Sequence, residues 1–195
     1  MYLNDSKTKE NLMKAFAGES QARNRYNIAA KIAEKQGLYI LKDLFDYTAN
    51  QEKEHAELFF KALKECNCDN FNISGGYPIS YYDNVVQLLR AAEHGEFEEH
   101  DNVYPEFAKV AQEEGFTQIS QLFTNIAKVE KAHGDRFKRY ADMLESNTLF
   151  DRTESTSWMC TNCGFIYEGK SAPQVCPVCS VPQGYYIEFK NSPFE

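Results

Sequence analysis

Long apolar runs and an excess of positive charge are both missing from this sequence. No stretch is apolar over the ~20 residues that a membrane-spanning helix requires, and residues 1–5 lack the layout of a signal peptide. The chain has 21 Lys and Arg against 29 Asp and Glu, a formal net charge of −8. Nucleic-acid backbones and anionic membranes would repel such a chain. We therefore expect a cytoplasmic protein whose partners include no membrane and no nucleic acid.

Histidine and cysteine are also scarce, with four and six residues, so their positions are informative. Four of the cysteines form two C-x-x-C pairs, which in a reducing compartment indicate a metal site rather than disulfides. These four are Cys160, Cys163, Cys176 and Cys179. The other two, Cys66 and Cys68, are interpreted as spare thiols in preference to a redox or metal role.

Two of the four histidines belong to a repeated Glu-x-x-His pattern, Glu52 with His55 and Glu130 with His133. Residues three apart project from one face of an α-helix, so each pair offers a carboxylate and an imidazole to one metal ion. A single copy arises often by chance in a chain this rich in Glu. Two copies on separate helical segments match the pattern of ferritin-like di-metal bundles.

Apolar residues recur at helical spacing over four long segments. The segments cover residues 5–36, 38–65, 82–114 and 117–145. Gly37 and Gly115 separate neighbouring segments, whereas the polar stretch 66–81 suits the long crossover of a ferritin-like bundle. In the second segment we expect Tyr47 and Phe60 to face inward. The predicted fold class is therefore mainly α, a four-helix bundle with a long crossover and a small metal-bound tail.

Carboxylates on the first and third helices complete the candidate di-metal site. Glu19 lies on the apolar stripe of the first helix, where a carboxylate is costly unless it is paired or bound to a metal. In the third helix, Glu96 and Glu99 can share one inward face. Glu93 joins that face one turn earlier, so periodicity alone leaves the register open.

A proline and the two remaining histidines also lie in the third helix. Pro105 cannot donate a backbone hydrogen bond, and we expect it to kink or interrupt the helix. His94 and His100 are out of register with a site centred on Glu96 and Glu99, and both are interpreted as surface histidines.

The tail beyond residue 157 is too short to be held together by burial alone. Its two C-x-x-C turns, separated by twelve residues, can place four thiolates tetrahedrally around one metal ion. That metal would be part of the fold of the tail. Ligand types alone do not separate zinc from iron, so a structural zinc ribbon with no redox role stays an alternative.

These motifs together resemble the rubrerythrin family over essentially the whole chain. The resemblance is carried by residues 15–26 (AFAGESQARNRY), the two Glu-x-x-His motifs, Gly95-Glu96-x-x-Glu99 followed by Tyr104-Pro105, and the two cysteine knuckles. The resemblance selects Glu96 and Glu99, rather than Glu93, as the candidate ligands from the third helix. The chain then divides into a ferritin-like di-iron four-helix bundle (1–146), a linker (147–157) and a rubredoxin-like β domain (158–195). We expect the bundle and the tail to have separate cores.

The resemblance implies a non-haem di-iron peroxidase that reduces hydrogen peroxide to water and protects against oxidative stress. Two irons would lie in the bundle and one in the four-cysteine site, where zinc can substitute. The ligands in the bundle would be Glu19, Glu52, His55, Glu96, Glu99, Glu130 and His133. Electrons would come from an external NAD(P)H-linked donor, such as a rubredoxin or a reductase. The family also implies a homodimer or higher homo-oligomer.

Three residues carry further expectations about the chemistry. Tyr26 and Tyr104 are candidates to orient ligands or protons. Glu99 is surplus to the four glutamates and two histidines of the ferritin-like pattern. A ferric pair favours an additional carboxylate, whereas a ferrous pair tolerates a neutral imidazole better. We therefore hypothesise that Glu99 and His55 alternate as ligands of one iron.

Two other functions fit parts of the sequence. Iron oxidation and storage would explain the bundle but not the cysteine tail. A non-enzymatic interaction protein with a structural zinc ribbon would leave Glu19, Glu52 and Glu130 without a reason to lie on apolar faces. Visible absorption separates a thiolate-bound ferric iron from a colourless zinc ribbon.

Overall fold

A bundle of long helices makes up most of the chain in the computed structural model, which describes residues 2–66 and 68–192. The α-helices are α1 (Lys7–Lys35), α2 (Tyr39–Ala62), α3 (Val85–Glu98), α4 (Tyr104–Glu113) and α5 (Thr117–Glu145). A π-helix, Glu99–Val103, joins α3 directly to α4, and the three form the third long helix of a four-helix bundle. No helix in the described ranges is both long and apolar enough to cross a membrane.

The ends of the helices are fixed by residues that the sequence marks for this role. At the start of α1, the side chain of Ser6 accepts a hydrogen bond from the backbone N–H of Lys9. Gly37 and Gly115 follow α1 and α4 with φ angles of 73° and 87°, a conformation that glycine adopts without strain. Because both connections are short, α1 packs along α2, and the third long helix packs along α5.

The irregularity expected near Pro105 takes the form of the π-helix. In α1, Tyr26 follows Glu19 by seven residues, whereas Tyr104 follows Glu96 by eight. A π-turn contains one residue more than an α-turn. The extra residue therefore gives Tyr104 the same position relative to Glu96 that Tyr26 has relative to Glu19.

The buried apolar residues of the bundle form two clusters separated by a polar layer. One cluster contains Tyr26, Phe45 and Phe137, and the other contains Phe59 and Tyr104. On each long helix, buried polar residues lie between the residues of one cluster and those of the other. These polar residues are Glu19, Glu52, His55, Glu96, Glu130 and His133. The apolar core therefore flanks the candidate site from both ends of the bundle.

The expectation that Tyr47 and Phe60 face inward is wrong. Tyr47 is 50% exposed and Phe60 is 58% exposed, whereas Phe59 is completely buried. Successive residues on an α-helix are rotated by ~100° about its axis. Since Phe59 occupies the inward position, Phe60 projects toward solvent.

The tail is a three-stranded antiparallel sheet with the strand order β2-β1-β3. Its strands are β1 (Asp151–Cys160), β2 (Ile166–Ser171) and β3 (Tyr186–Glu188). Strand β1 includes part of the segment predicted as a linker, and the domain limits stay a prediction. The predicted fold class, a mainly α ferritin-like bundle followed by a small β domain, is confirmed.

The tail has a core of its own but is not independent of the bundle. Trp158 and Tyr186 pack with the cysteines, whereas Ile187 belongs to the apolar cluster of the bundle. The rings of Tyr39 and Tyr185 stack with their centroids 4.0 Å apart. The expectation of separate cores is therefore wrong, because β3 contributes residues to both.

Cys66 and Cys68 form a disulfide bond at the start of the crossover, so their interpretation as spare thiols is wrong. Their Cα atoms lie 5.4 Å apart, which is within the ordinary range for disulfides. The 3₁₀-helix Leu63–Cys66 ends at the first of the two cysteines. Two cysteines separated by one residue gave no sequence signal for pairing, since the local turn decides whether the sulfurs meet.

Candidate metal centres

Four glutamates and two histidines from the four long helices form two groups of potential metal ligands in the polar layer. One group is Glu19, Glu52, His55 and Glu130, and the other is Glu52, Glu96, Glu130 and His133. Within each group the ligand atoms all lie within 4.8 Å of one another. Glu52 and Glu130 belong to both groups, so they are placed to bridge two metal positions.

Several buried atoms of this cluster have no hydrogen-bond partner among the residues described. They are Glu19 Oε2, Glu52 Oε1, Glu96 Oε2, both carboxylate oxygens of Glu130, and His133 Nδ1. His133 Nδ1 nevertheless lies 2.9 Å from Glu52 Oε1 and 2.9 Å from Glu130 Oε2. Oxygen and nitrogen atoms that converge without hydrogen bonds are costly to bury unless a cation lies among them. The residues therefore fit a pair of metal ions.

His133 is held in position for metal binding by its other ring nitrogen. Its Nε2 lies 3.1 Å from Gln51 Oε1, and the same oxygen accepts a hydrogen bond from Arg136 Nη1 at 3.1 Å. Because an amide oxygen only accepts, Nε2 carries the proton and Nδ1 keeps its lone pair for a metal. Sequence patterns missed both supporting residues. Arg136 stands one turn after His133, a spacing that could have indicated it, whereas no local spacing indicates Gln51.

Two tyrosines each hold a carboxylate from across the bundle. Tyr26 Oη on α1 donates to Glu96 Oε1 on α3, and Tyr104 Oη on α4 donates to Glu19 Oε1 on α1. Burial, followed by the neighbouring carboxylates, raises the pKa of both tyrosines well above the usual value. Both hydroxyls therefore keep their protons at neutral pH and remain hydrogen-bond donors.

The metal-free cluster holds protons on several of its groups. Burial, followed by repulsion from nearby carboxylates, raises the pKa of Glu19 and Glu96 well above the usual value. Burial alone would also raise the pKa of Glu52, but contacts with His133 and His55 lower it to about 2. Burial would lower the pKa of His55, but Glu130 and Glu52 raise it to about 9. Protons thus replace part of the positive charge that metals would supply.

The metal-free protein is expected to gain stability as the pH falls from about 9 to ~6.5. The folded-state pKa of His55 is about 9, against ~6.5 for an unperturbed histidine. The folded chain therefore keeps a proton that the unfolded chain loses as pH rises, and this stabilisation is complete below ~6.5 and is lost as pH rises through about 9. The raised pKa values of Glu19 and Glu96 also make the folded protein more stable as pH falls. The lowered pKa of Glu52 has the opposite effect on stability, but only below pH ~4.5.

Thermal unfolding of metal-free protein between pH 6.5 and 9 measures this effect. We expect a change in unfolding free energy on the order of a few kcal/mol across the range. The metal-loaded protein is the control, and its melting temperature should be higher and should vary less with pH. A melting temperature of the metal-free protein that does not vary with pH would contradict the protonation scheme.

Glu99 lies beside the two ligand groups and belongs to neither. Burial and the carboxylates of Glu130 and Glu52 raise its pKa well above the usual value, while the positive charge of Arg25 opposes the increase. The register that periodicity left open is also decided here. Glu96 is buried in the cluster, whereas Glu93 forms an ion pair with Arg90 at 2.7 Å.

The two remaining histidines differ in their surroundings. His94 is exposed, as expected for a surface histidine. His100 is half-buried, and its Nδ1 lies 2.7 Å from the backbone oxygen of Ala127. The interpretation of His100 as a surface residue is therefore wrong, because the π-helix turns it toward α5.

The four cysteines converge at one end of the small sheet. The Sγ atoms of Cys160 and Cys179 lie 3.7 Å apart, as do those of Cys163 and Cys176. All four lie within 4.8 Å of one another. A tetrahedral site with metal–sulfur bonds of ~2.3 Å has sulfur–sulfur edges of ~3.8 Å. The thiolates therefore fit a single metal ion.

Two similar turns build this cysteine site. Gly164 N donates to Cys160 O at 2.8 Å, and Ser180 N donates to Cys176 O at 2.9 Å. Gly164 and Ser180 have φ angles of 78° and 62°, in the left-handed region. Each C-x-x-C turn therefore curls back on itself and presents both of its sulfurs to one point.

Comparisons with known proteins cover both parts of the chain. The family model described as Rubrerythrin matches residues 10–141, and the model described as Rubrerythrin, rubredoxin-like domain, matches residues 158–187. The chain is 44% identical to rubrerythrin of Clostridium perfringens over 97% of this chain and 98% of that protein. It is 46% identical to rubrerythrin-1 of Clostridium acetobutylicum over 94% and 95% of the two chains. The structure of partially reduced nigerythrin matches with a TM-score of 0.64 at 28% identity, covering 95% of this chain and 90% of that one.

Proposed function

The chain belongs to the rubrerythrin family, and from that membership we propose that it is a peroxidase that reduces hydrogen peroxide to water. The family makes it an iron-binding oxidoreductase of oxidative-stress protection, with a di-iron site in the bundle and a rubredoxin-like four-cysteine site in the tail. One observation carries the proposal. Glu52 and Glu130 are shared by two ligand groups, and bridged metals lie close enough to act on both oxygens of one peroxide molecule.

The chain's own residues have separate tasks in this reaction. When bound, the irons of the bundle would supply the two electrons that peroxide takes up, and the cysteine-held iron would return them one at a time. Glu52 and Glu130 would bridge the metals. Each remaining pair would complete one metal position, Glu19 with His55 and Glu96 with His133.

Two tyrosines would keep this ligand set in place and supply hydrogen bonds. Peroxide reduction also takes up two protons, which would come from solvent, and groups that stay protonated near the metals can orient their delivery by hydrogen bonding. Tyr26 and Tyr104 are such groups, since burial raises the pKa of both hydroxyls. Their hydrogen bonds to Glu96 and Glu19 fix the direction of each carboxylate.

Glu99 and His55 would alternate as ligands at one metal position. His55 Nδ1 lies 3.0 Å from both Glu52 Oε2 and Glu130 Oε1, inside the ligand group. Glu99 lies outside the group but close enough for Glu130 and Glu52 to raise its pKa after burial. A carboxylate is the better ligand when the metals carry more charge, and a neutral imidazole when they carry less.

The exposed side of the cysteine site is where an external donor would dock. Cys163 is exposed, and the apolar side chains of Val178 and Ile166 are 63% and 47% exposed. A rubredoxin or an NAD(P)H-dependent reductase would deliver electrons at this surface. In a homodimer or higher homo-oligomer, the tail of one subunit would serve the bundle of its partner.

The test uses iron-loaded protein supplied with NAD(P)H and a rubredoxin–reductase pair. We expect peroxide to be consumed with one NAD(P)H oxidised for each peroxide, and we expect the purified protein to be coloured by thiolate-bound ferric iron. Metal content must be measured on protein from the native host, because zinc can occupy either site during overexpression. Loss of ferrous iron to a mineral product, without catalytic peroxide consumption, would support iron storage instead.

A further inference from the structure

A cleft of about 610 Å³ leads from the surface of the bundle to Glu99 and Tyr104. Its walls come from α1, from the crossover around Tyr77, and from the third long helix. Glycines line it on all three elements, so backbone rather than side chain forms much of the wall. These glycines are Gly18, Gly75, Gly76 and Gly95.

The cleft is narrow at Gly18. A Cβ atom placed on this glycine would lie 3.8 Å from Glu99 Oε1 on one side and 3.9 Å from Tyr77 Cε1 on the other. Gly18 therefore stands between the ring of Tyr77 and the carboxylate of Glu99. The Tyr77 hydroxyl donates to the backbone oxygen of Lys14 at 3.3 Å, which ties the crossover to α1 at this point.

The cleft also has a polar wall with unused hydrogen-bonding capacity. Arg25 lines it, and the buried Nη1 of this residue has no hydrogen-bond partner in the described part of the chain. A buried guanidinium donor without an acceptor favours a small polar molecule beside it. Hydrogen peroxide is small and offers two acceptor oxygens.

We propose that this cleft is the route by which peroxide reaches Glu99, and that Gly18 and Tyr77 set the size of the peroxide that passes. The proposal deepens the proposed peroxidase function and rests on it. A route limited at one glycine admits hydrogen peroxide and slows a bulky alkyl hydroperoxide. Arg25 would donate a hydrogen bond to the peroxide on its way to the metals.

Gly18→Ala tests the narrow point, and Gly95→Ala is its matched control. Gly18 and Gly95 each precede a candidate ligand, Glu19 and Glu96, on a long helix. A Cβ on Gly95, however, would meet nothing within 4 Å among the described residues. Alanine is a better helix former than glycine, so neither variant should fail to fold.

The measurements are kcat/KM for hydrogen peroxide and for tert-butyl hydroperoxide, with iron content determined for each variant. A methyl group on Gly18 would be in van der Waals contact with both walls of the cleft, and one methyl group in such a position changes selectivity by ~10-fold or more. We expect Gly18→Ala to lower kcat/KM for tert-butyl hydroperoxide by at least ~10-fold more than for hydrogen peroxide. Gly95→Ala adds its methyl group to an open part of the same cleft and should leave the ratio of kcat/KM for the two peroxides unchanged. The rate at which azide binds the oxidised site should fall in Gly18→Ala alone.

Tyr77→Ala tests the opposite change from a residue outside the ligand-bearing helices. Removal of the ring should widen the route and raise the ratio of kcat/KM for tert-butyl hydroperoxide over hydrogen peroxide by ~10-fold. If the unmodified protein reduces peroxide but Tyr77→Ala leaves this ratio unchanged, the proposed route is wrong and the peroxidase function stands. If the unmodified protein reduces neither peroxide, the function itself is wrong.

Discussion

Cys160→Ser is expected to lower peroxide turnover by at least ~100-fold when the reductant enters through the tail. Cys160 is completely buried, and its Sγ forms one corner of the four-sulfur cluster. Loss of a residue that only hydrogen-bonds to a metal ligand costs ~10–100-fold in metal affinity or activity. Loss of the ligand itself costs more. The bundle site lies on other elements. After chemical reduction, it should therefore still be oxidised by a single equivalent of peroxide at the normal rate.

Two measurements on the same preparation separate these effects. Steady-state peroxide consumption with the protein donor reports on the tail, and one round of oxidation after chemical reduction reports on the bundle. The control is the double variant Cys66→Ser with Cys68→Ser, because it makes the same substitution at the two cysteines outside both ligand sites and leaves no unpaired thiol from their disulfide. Normal turnover of Cys160→Ser with the protein donor would show that the tail is not the obligatory route.

Because the tail contacts the bundle, Cys160→Ser should also affect the stability of the bundle. Ile187 lies one residue after Tyr186, which pairs with Cys160 in the sheet, and Ile187 packs in the apolar cluster of the bundle. Disorder in the tail would therefore uncover part of that cluster. We expect the far-UV circular dichroism of the helices to be retained, with a modest decrease in melting temperature.

The helices and the main ligands could be predicted from the sequence because both rest on local spacing. A Glu-x-x-His pair within an apolar stripe fixes the face of the helix that bears it. Glu52 and Glu130 therefore lie where the pattern places them, at the centre of both ligand groups. Four thiols in two C-x-x-C turns are an equally local signal, and the structure brings all four together.

The register of the third helix could not be predicted from periodicity, because its period changes within the helix. The π-helix Glu99–Val103 shifts the helical phase between α3 and α4. An apolar stripe extrapolated from α3 therefore misplaces the inward residues of α4, and the reverse also holds. Such a shift requires support from surrounding packing. Tyr104 provides part of it here, through its hydrogen bond to Glu19 on a different helix.

Contacts between distant segments account for the other differences. Gln51 and Arg136 support His133 from two helices, and Ile187 joins the core of the bundle from the tail. The contacts of Gln51 with His133 and of Ile187 with the bundle join residues far apart in the chain, and no spacing rule relates such residues. Gly184 is a further example, since a Cβ there would overlap the backbone oxygen of Gly37, and this long-range contact could not be predicted from the sequence around Gly184.

Glu130→Ala is expected to abolish iron binding at both positions of the bundle while leaving the helices folded. Glu130 contributes an oxygen to each ligand group, and both of its oxygens lack hydrogen-bond partners in the described chain. Its removal takes a ligand from two metals at once. It also lessens the repulsion among crowded carboxylates in the metal-free state, so we expect the fold to survive. Iron per chain, measured with the tail iron counted separately, should fall from two in the bundle to none.

Glu99→Ala is the matched control for that experiment, because Glu99 is a half-buried glutamate beside the same layer that belongs to neither group. It should keep both irons of the bundle. Turnover should nevertheless fall, because His55 would then have no carboxylate to alternate with when the metals carry more charge. Structures of the oxidised and reduced iron-loaded protein complete the test. If the same ligands bind both irons in both states, Glu99 is not an alternating ligand, and its carboxylate lies beside the site without binding a metal.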